Sequence, residues 1–249
     1  LKTILEQDES AIRKADGLLT TELNQLVAPT SSEHPEENQI QSVVWDHEQL
    51  MTMTDSSLTA VLGSDYSLAD SFAIRARMPS MPFNFVSRVT KINAKKGVFE
   101  PSSIEIEYDI PIDTPFCVKN QVILVPFLES SHIGIFLLGY IGIDEAFNGK
   151  ASYRVVDSRL KFFSDLPQPG DTFRSLFKIT SFLISTDKML VFYEYHCYAK
   201  SDDRLLFIIS GTGGMFSESD LNQSKGILTN KLSPKMKSQR SAFVPPLIS

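Results

Sequence analysis

The stretch VILVPFLESSHIGIFLLGY, residues 122–140, is the most apolar part of the chain. Its only ionisable side chains are Glu129 and His132. An apolar run of this length is typical of a buried helix, because strands usually end after about 4–8 residues. The polar interruptions leave it short of the roughly 18–20 continuous apolar residues that a membrane span requires. We therefore predict a long central helix over residues 122–140 and no membrane span.

Four strands are predicted after the central helix. The segments between them contain proline, glycine, aspartate and serine, which favour turns. Connections this short are typical of an antiparallel meander, in which each strand pairs with the next. The glycines of Ser210–Gly214, near the end of the last strand, indicate a β-bulge or a close approach of two backbones. The strands are predicted at Tyr153–Phe163, Asp171–Ser185, Met189–Ala199 and Leu205–Met215.

A short helix and a hairpin are predicted before the central helix. The helix covers Asp46–Leu62 and ends at Gly63. The hairpin consists of Phe83–Ile92 and Val98–Tyr108, joined by a turn at residues 93–97. In the second hairpin strand, apolar residues alternate with acidic ones, which predicts one buried and one solvent-facing side. The apolar positions are Ile104, Ile106 and Tyr108.

This order of elements predicts an α+β fold in which one antiparallel sheet wraps around a long central helix. The outer face and the edges of such a sheet stay exposed. A unit of this kind usually pairs with a second unit that extends or backs the sheet. We therefore expect a second domain of the same kind as a partner, in the same polypeptide or in a homodimer.

Composition divides the chain into three predicted parts. Residues 1–42 form an N-terminal helix and a polar, proline-containing linker; residues 43–226 form the main domain; residues 227–249 form a tail to a next domain. The N-terminal helix is predicted from apolar residues that recur every seven positions, which places them on one face. These are Leu5, Ile12, Leu19 and Leu26. The chain begins without methionine, so we expect that it comes from a longer polypeptide.

Charge and cysteine content exclude several classes of function. The formal net charge is −6, and nucleic-acid binding normally requires clustered Lys and Arg, so we expect no nucleic-acid partner. The two cysteines, Cys117 and Cys197, provide neither a disulfide framework nor the spacing of a metal site. They are typical of reduced thiols in a cytoplasmic protein. We predict no metal ion.

Several segments resemble the dehydratase region of bacterial polyunsaturated fatty acid synthases. The resemblance covers roughly residues 43–226 and implies the hotdog fold, an antiparallel sheet around a central helix. These synthases carry several hotdog units in a row, some of them non-catalytic, and the units pair into double hotdogs. The matching segments are Arg88–Lys91, Tyr108–Phe116, Leu128–Ser130, Tyr140–Asp144, Phe72–Pro79 and Pro169–Thr172.

The resemblance implies a reaction and a carrier. The family removes water from a 3-hydroxyacyl chain that is held on the phosphopantetheine of an acyl carrier protein, and it uses no other cofactor. A histidine takes the proton from C2 and an acid on the central helix protonates the departing hydroxyl. Backbone N–H groups at the start of that helix polarise the thioester carbonyl. The acyl carrier protein is therefore an expected partner.

Glu129 falls at the position of the family's helix carboxylate, but the family's histidine is missing. Its position falls near Pro115, in a loop that contains no histidine. His132 is three residues after Glu129 and on the same helical face, so this pair is the one acid–base combination that the sequence offers. A pair of this kind is more often a satisfied polar spot on a helix than a catalytic site.

The resemblance also indicates where a substrate would lie. Phe116 and Cys117 of the loop, with Leu124 and Val125 at the start of the central helix, would line the position of the thioester. The family's glycine-rich helix start is replaced here by bulky side chains, which crowd that position.

Three functions follow as hypotheses. The missing histidine favours a non-catalytic hotdog that supports a paired catalytic hotdog in a 3-hydroxyacyl-ACP dehydratase module. The second hypothesis is an active dehydratase or dehydratase–isomerase that uses Glu129 with His132 or with a partner's histidine. The third is a module that binds acyl thioesters without turnover.

Overall fold

The computed structural model describes residues 43–185 and 188–223. The predicted N-terminal helix and linker, residues 1–42, lie outside the described residues, and so does the predicted tail, residues 227–249. In the part that is described, no helix is long and apolar enough to cross a membrane.

One six-stranded antiparallel sheet forms the main layer of the domain. Along the sheet the strands follow the order β1-β2-β6-β7-β8-β5. A separate two-stranded hairpin, β3 and β4, precedes the central helical segment. The strands are β1 (Arg88–Asn93), β2 (Ser102–Asp109), β3 (Cys117–Val118), β4 (Gln121–Val122), β5 (Ala151–Phe162), β6 (Thr172–Ile184), β7 (Met189–Ala199) and β8 (Leu205–Ser217).

Seven α-helices and two 3₁₀ turns are present in the described ranges. Their bounds are α1 (His47–Asp55), α2 (Thr59–Leu62), a 3₁₀ turn (Ser64–Tyr66), α3 (Ser67–Ser71), α4 (Val125–Glu129), a 3₁₀ turn (Ser130–His132), α5 (Ile133–Ile141), α6 (Ile143–Ala146) and α7 (Glu218–Gln223). Nearly every residue of α5 is buried. The inner face of the sheet covers α5, so the apolar segment that dominates the sequence is the centre of the core.

The strand order confirms the predicted hotdog fold. β2 leads into the central helical segment, which leads into β5 at the far edge of the sheet, and β6, β7 and β8 fill the space between β2 and β5. The sheet thus closes around the helix from both sides.

The central helix is shorter than predicted and is interrupted. Residues 121–122 belong to β4, and the first helical turn begins only at Val125. The interruption at Ser130–His132 has a local cause, because the hydroxyls of Ser130 and Ser131 donate to backbone carbonyls three residues earlier. α5 ends because Gly142 adopts a left-handed conformation, with φ of 100°.

The position of β5 also differs from the prediction. β6, β7 and β8 form the expected antiparallel meander, but β5 pairs with β8 and not with its neighbour in sequence, β6. β6 pairs instead with β2. The turn residues around Pro167–Gly170 therefore end a connection from one part of the sheet to another, and they do not form a hairpin.

The first hairpin is shorter than predicted, and one of its acidic residues is buried. Ile104 and Ile106 are fully buried, as predicted. Glu107 is also buried, and two cations compensate its charge. Arg88 donates to it from Nε at 2.8 Å, and Lys200 contacts its other oxygen. The predicted helix at residues 46–62 is divided into α1 and α2, and Asp46 caps α1 through a capping box with Gln49.

Glycines allow aromatic rings to fill the space between α5 and the sheet. The ring of Phe177 lies against Gly134 of α5 and stacks on Tyr193 at a centroid distance of 5.2 Å. Two glycines of β8 likewise leave space for tyrosine hydroxyls. The hydroxyl of Tyr193 lies against Gly211, and the hydroxyl of Tyr153 lies against Gly213. The close approach predicted at residues 210–214 is confirmed, and the facing strand carries a bulge between residues 155 and 157.

Replacement of Gly134 by alanine tests this packing. The new Cβ would lie well inside van der Waals contact with the Phe177 ring, which is held by Tyr193. We expect Gly134→Ala to lower the free energy of unfolding by about 1–3 kcal/mol, as measured by urea denaturation.

The control is the same substitution in a Phe177→Leu background, where the ring is absent. There alanine should be neutral or stabilising by up to about 1 kcal/mol, because alanine favours helix more than glycine does. An equal loss of stability in both backgrounds would mean that the ring contact is not the cause.

Candidate functional site

Glu129 and His132 contact each other at the interruption of the central helix. The Nδ1 atom of His132 lies 3.0 Å from Oε2 of Glu129 and 3.1 Å from the Glu129 carbonyl oxygen. About one third of each side chain is exposed. The 3₁₀ turn brings the two predicted catalytic residues together at the surface of the domain, where solvent or a partner can reach them.

A chain of buried, hydrogen-bonded hydroxyl groups attaches the turn that carries this pair to the core. The hydroxyl of Ser130 lies 2.6 Å from the hydroxyl of Tyr195, which in turn donates to Ser175 at 2.8 Å. All three residues are buried. Burial raises the pKa of Tyr195, so its hydroxyl stays protonated and able to donate. The core thereby fixes the orientation of the Glu129–His132 turn.

The two predicted substrate-binding residues of the loop belong to a compact hairpin. The ring of Phe116 packs edge-on against Phe85 at a centroid distance of 5.0 Å. Cys117 pairs with Val122 across β3 and β4. The connecting residues, 119 and 120, have positive φ angles of 50° and 62°, as in a tight two-residue turn. Pro115, near which the resemblance places the histidine, lies two residues before β3.

The start of α4 is poorly suited to polarising a carbonyl. Pro126 has no N–H, and the amides of Phe127 and Leu128 already donate to the carbonyl of Leu124 at 3.2 and 3.1 Å. Val125 is the first residue of the helix. The expected backbone donors for a thioester are thus mostly engaged or missing in the described segment.

One backbone bond joins the two sets of predicted substrate-binding residues. The amide of Ile123 donates to the carbonyl of Phe116 at 2.9 Å, so the hairpin is attached to the segment that enters α4.

The other histidines of the described residues are engaged elsewhere. His47 lies 3.2 Å from the Val86 carbonyl, and His196 contacts Glu194 at 2.9 Å. None of them belongs to the loop between Tyr108 and Leu128.

Asp144 is a buried carboxylic acid that the sequence patterns did not single out. Its side chain is only 2% exposed, and both of its oxygens accept from the amide of Ala76, at 2.9 and 3.1 Å. Burial raises its pKa to about 6. The signal in the sequence was an acidic residue two positions after Gly142, where the apolar run has ended.

Within the described ranges, no group of three or more His, Cys, Asp or Glu residues is arranged to hold a metal ion.

Comparison with known proteins confirms the resemblance to polyunsaturated fatty acid synthases. The chain is 26% identical over 189 residues to one subunit of the polyunsaturated fatty acid synthase of Thraustochytrium sp.. The alignment covers 74% of this chain but only 12% of that relative, so the chain corresponds to a small part of the relative's length. No protein-family model matches the chain.

The solved structures to which the chain is similar are much more distant in sequence. A hypothetical thioesterase of Streptococcus pneumoniae TIGR4 with coenzyme A is 5% identical, with a TM-score of 0.37, over 51% of this chain and 85% of that one. The PaaI protein of E. coli is 7% identical, with a TM-score of 0.35, over 49% and 81%. Zebrafish thioesterase superfamily member 2 is 13% identical, with a TM-score of 0.36, over 50% and 78%.

The raised pKa of Asp144 predicts a change of stability with pH. The folded chain holds the Asp144 proton up to about pH 6, whereas an unfolded carboxyl releases it near pH 3.8. Between these values the folded state binds more protons, so its free energy of unfolding falls as pH rises. The expected loss is up to about 3 kcal/mol and is complete by about pH 7, roughly one pH unit above the folded pKa.

Urea denaturation from pH 4 to 7 measures this loss. Asp144→Asn should remove it, because asparagine keeps an oxygen acceptor for the Ala76 amide but does not titrate. Asp113→Asn, which changes an exposed carboxylate, is the matched control and should retain the decrease. A wild type and Asp144→Asn with parallel pH profiles would show that Asp144 is not responsible.

Proposed function

We propose that this chain is a non-catalytic hotdog domain of a 3-hydroxyacyl-ACP dehydratase module in a polyunsaturated fatty acid or polyketide synthase. Its role is to pair with a catalytic hotdog and to support that partner's acyl site. The open edge of β5 is the observation that carries this proposal. The similarity to part of a polyunsaturated fatty acid synthase supports the kind of synthase named in this proposal.

The outer edge of β5 is long and exposed. Residues 154–162 are all exposed, and no described strand pairs with the side of β5 that faces away from β8. Such an edge presents unpaired N–H and C=O groups to another strand. A cluster of exposed apolar side chains lies along it, which we call the β5 strip. The β5 strip comprises Val155, Val156, Leu160, Phe162 and Phe163.

The opposite edge of the sheet is partly closed, which makes β5 the better pairing surface. The amide of Val44 donates to the Val89 carbonyl on β1 at 2.8 Å, and the Val89 amide donates to the Trp45 carbonyl at the same distance. Trp45 thus covers the edge of β1. On the β5 side, by contrast, no described strand lies beyond the edge of the sheet.

The helix start supports a non-catalytic role. Proline stands near the position expected for the histidine, just before the β3–β4 hairpin, and Pro126 removes a backbone donor. A catalytic partner must therefore supply the base and the polarising amides. This chain would contribute the sheet that completes the acyl tunnel, together with Glu129 across the interface. The acyl chain would arrive on the phosphopantetheine of an acyl carrier protein, in the cytoplasm.

A charge placed in the β5 strip tests the pairing. Val156 is 55% exposed, so Val156→Glu should leave the fold intact but bury a charge in the paired state. We expect its affinity for the adjoining hotdog segment of the parent polypeptide to fall at least roughly tenfold, as measured by sedimentation velocity.

The control for Val156→Glu is Leu183→Glu, which introduces the same charge on β6 at 59% exposure. This variant should pair like the wild type. Pairing that survives Val156→Glu and is lost in Leu183→Glu would contradict the assignment of the interface to β5.

An active dehydratase is the second candidate, and the contact of 3.0 Å between Glu129 and His132 favours it. The pair has the two groups that the reaction needs, a base and an acid, and both are accessible. Glu129 engages Nδ1 of His132 in this arrangement, so Nε2 is the ring nitrogen that would take the proton.

Hydration of an enoyl thioester, followed by loss of enoyl absorbance, separates the candidates. A non-catalytic domain should show no activity alone and should raise the activity of the adjoining hotdog when the two are mixed. Activity of the chain alone that is abolished in Glu129→Gln and in His132→Gln, with thermal unfolding unchanged, would overturn our proposal in favour of the second candidate. Thermal stabilisation by long-chain acyl thioesters, without turnover and without any effect on the partner, would instead indicate an acyl-binding module.

A further inference from the structure

A second exposed apolar surface lies on the outer face of the sheet, the face turned away from α5. On β7 every second residue is buried against the core, so the residues between them point outward. Near the end of β6 and the start of β7, four outward residues form an apolar cluster, which we call the outer patch. The outer patch comprises Leu183, Leu190, Phe192 and Phe216.

Strand register places the residues of the outer patch side by side. Leu183 of β6 pairs with Leu190 of β7, which pairs in turn with Gly214 of β8. Because Gly214 has no side chain, the ring of Phe216 and the side chain of Leu190 occupy the space above it. Leu183 is 59% exposed and Phe192 is 38% exposed. A contiguous apolar surface of this kind is typical of an interaction site.

The outer patch differs in kind from the edge of β5. β6, β7 and β8 each have a neighbouring strand on both sides, so their backbone groups are paired within the sheet. A further strand therefore cannot extend the sheet at the outer patch. The occupant that fits is a segment that lays apolar side chains on the face of the sheet.

The chain leaves the described domain beside the outer patch. α7 follows β8 directly and carries the chain to Gln223. Asp220 of α7 forms an ion pair of 2.9 Å with Lys188, which lies only two residues before Leu190. Residues 224–249, which we call the C-terminal segment, therefore begin at the same end of the sheet as the outer patch.

The first apolar residues of the C-terminal segment are within reach of the outer patch. Ile227 and Leu228 follow Gln223 after four and five positions. An extended chain spans at most about 3.3–3.6 Å per residue, so these side chains can reach roughly 13–18 Å from Gln223. The three strands that carry the outer patch span only about 10 Å.

The charge of the C-terminal segment is opposite to that of the rest of the chain. The segment contains five basic residues and no acidic one, whereas the whole chain has a formal net charge of −6. Opposite charge attracts the segment to the domain as a whole. Apolar contact then selects the outer patch as the place where the segment binds. The basic residues are Lys225, Lys231, Lys235, Lys237 and Arg240.

We propose that the C-terminal segment docks on the outer patch of its own domain, with Ile227, Leu228 and Leu232 against the patch. A segment that is attached to its binding surface has a high effective concentration there, so a modest apolar contact is sufficient. The proposal does not rest on the proposed function, since the outer patch is separate from the β5 strip. A docked segment closes this face of the sheet to other proteins.

Trypsin digestion of the 249-residue chain, followed by mass spectrometry, tests the docking. Lys225 and Lys231 flank or lie among the residues that we propose to dock, whereas Arg240 lies beyond them. Cleavage of a docked segment follows the fraction of molecules in which the segment is released. We expect cleavage after Lys225 and Lys231 to be at least roughly tenfold slower in the wild type than in Leu183→Glu. Cleavage after Arg240 should be the same in both and serves as the internal reference.

Two variants, each with a matched control, assign the protection to the outer patch. Leu183→Glu places a charge in the patch, and Ile112→Glu places the same charge at a residue that is 84% exposed in the loop after β2. Leu228→Ser removes an apolar side chain from the docking part of the segment, and Leu247→Ser removes one farther along it. Leu183→Glu and Leu228→Ser should both be cut rapidly after Lys231, and the two controls should be cut like the wild type.

Three outcomes would overturn the proposal. The first is equal cleavage after Lys225 and Lys231 in the wild type and in Leu183→Glu, and the second is an equal loss of protection in Ile112→Glu. The third is protection that grows with protein concentration together with a dimer in sedimentation velocity, which would make a second copy of the chain the occupant. Circular dichroism checks the fold of each variant. If Leu183→Glu unfolds, Leu228→Ser decides the question alone, because it leaves every described residue unchanged.

Discussion

The fold depends on the close contact between α5 and the sheet at Gly134. Because glycine has no side chain there, the ring of Phe177 can lie directly on the helix backbone, and it stacks on Tyr193 of the next strand. Tyr193 in turn lies over Gly211 of β8. Three strands are thereby fixed to one turn of the helix by rings that fill space left by glycines, at the density typical of protein interiors. The positions of β5 and of the Glu129 turn follow from this arrangement, since both are attached to elements that it orients.

Local patterns in the sequence predicted the elements well where one face of a strand is buried. The bounds of β7, Met189–Ala199, agree with the prediction because every second residue along it is buried, from the first residue to the last. The hotdog fold could also be predicted, from the order of elements and from matching segments. The pairing of β5 with β8 could not, because it joins residues that are 45 to 66 positions apart and leaves no local signal. The interruption of the central helix does have a local signal in Ser130 and Ser131, because their hydroxyls compete for the backbone carbonyls of the helix. The prediction of one continuous helix rested on the length of the apolar run and gave these serines no weight.

The site could be predicted only in part, for a related reason. The contact between Glu129 and His132 follows from a spacing of three residues, and it is present. The burial of Glu107 depends on Lys200, which is distant in sequence, and the burial of Asp144 depends on the amide of Ala76. The pocket where β5 begins likewise brings together two arginines before β1, Arg75 and Arg77, with Arg154 of β5, which only the fold places near one another. Charged residues that meet through tertiary structure look like ordinary surface residues in a sequence, whatever their role.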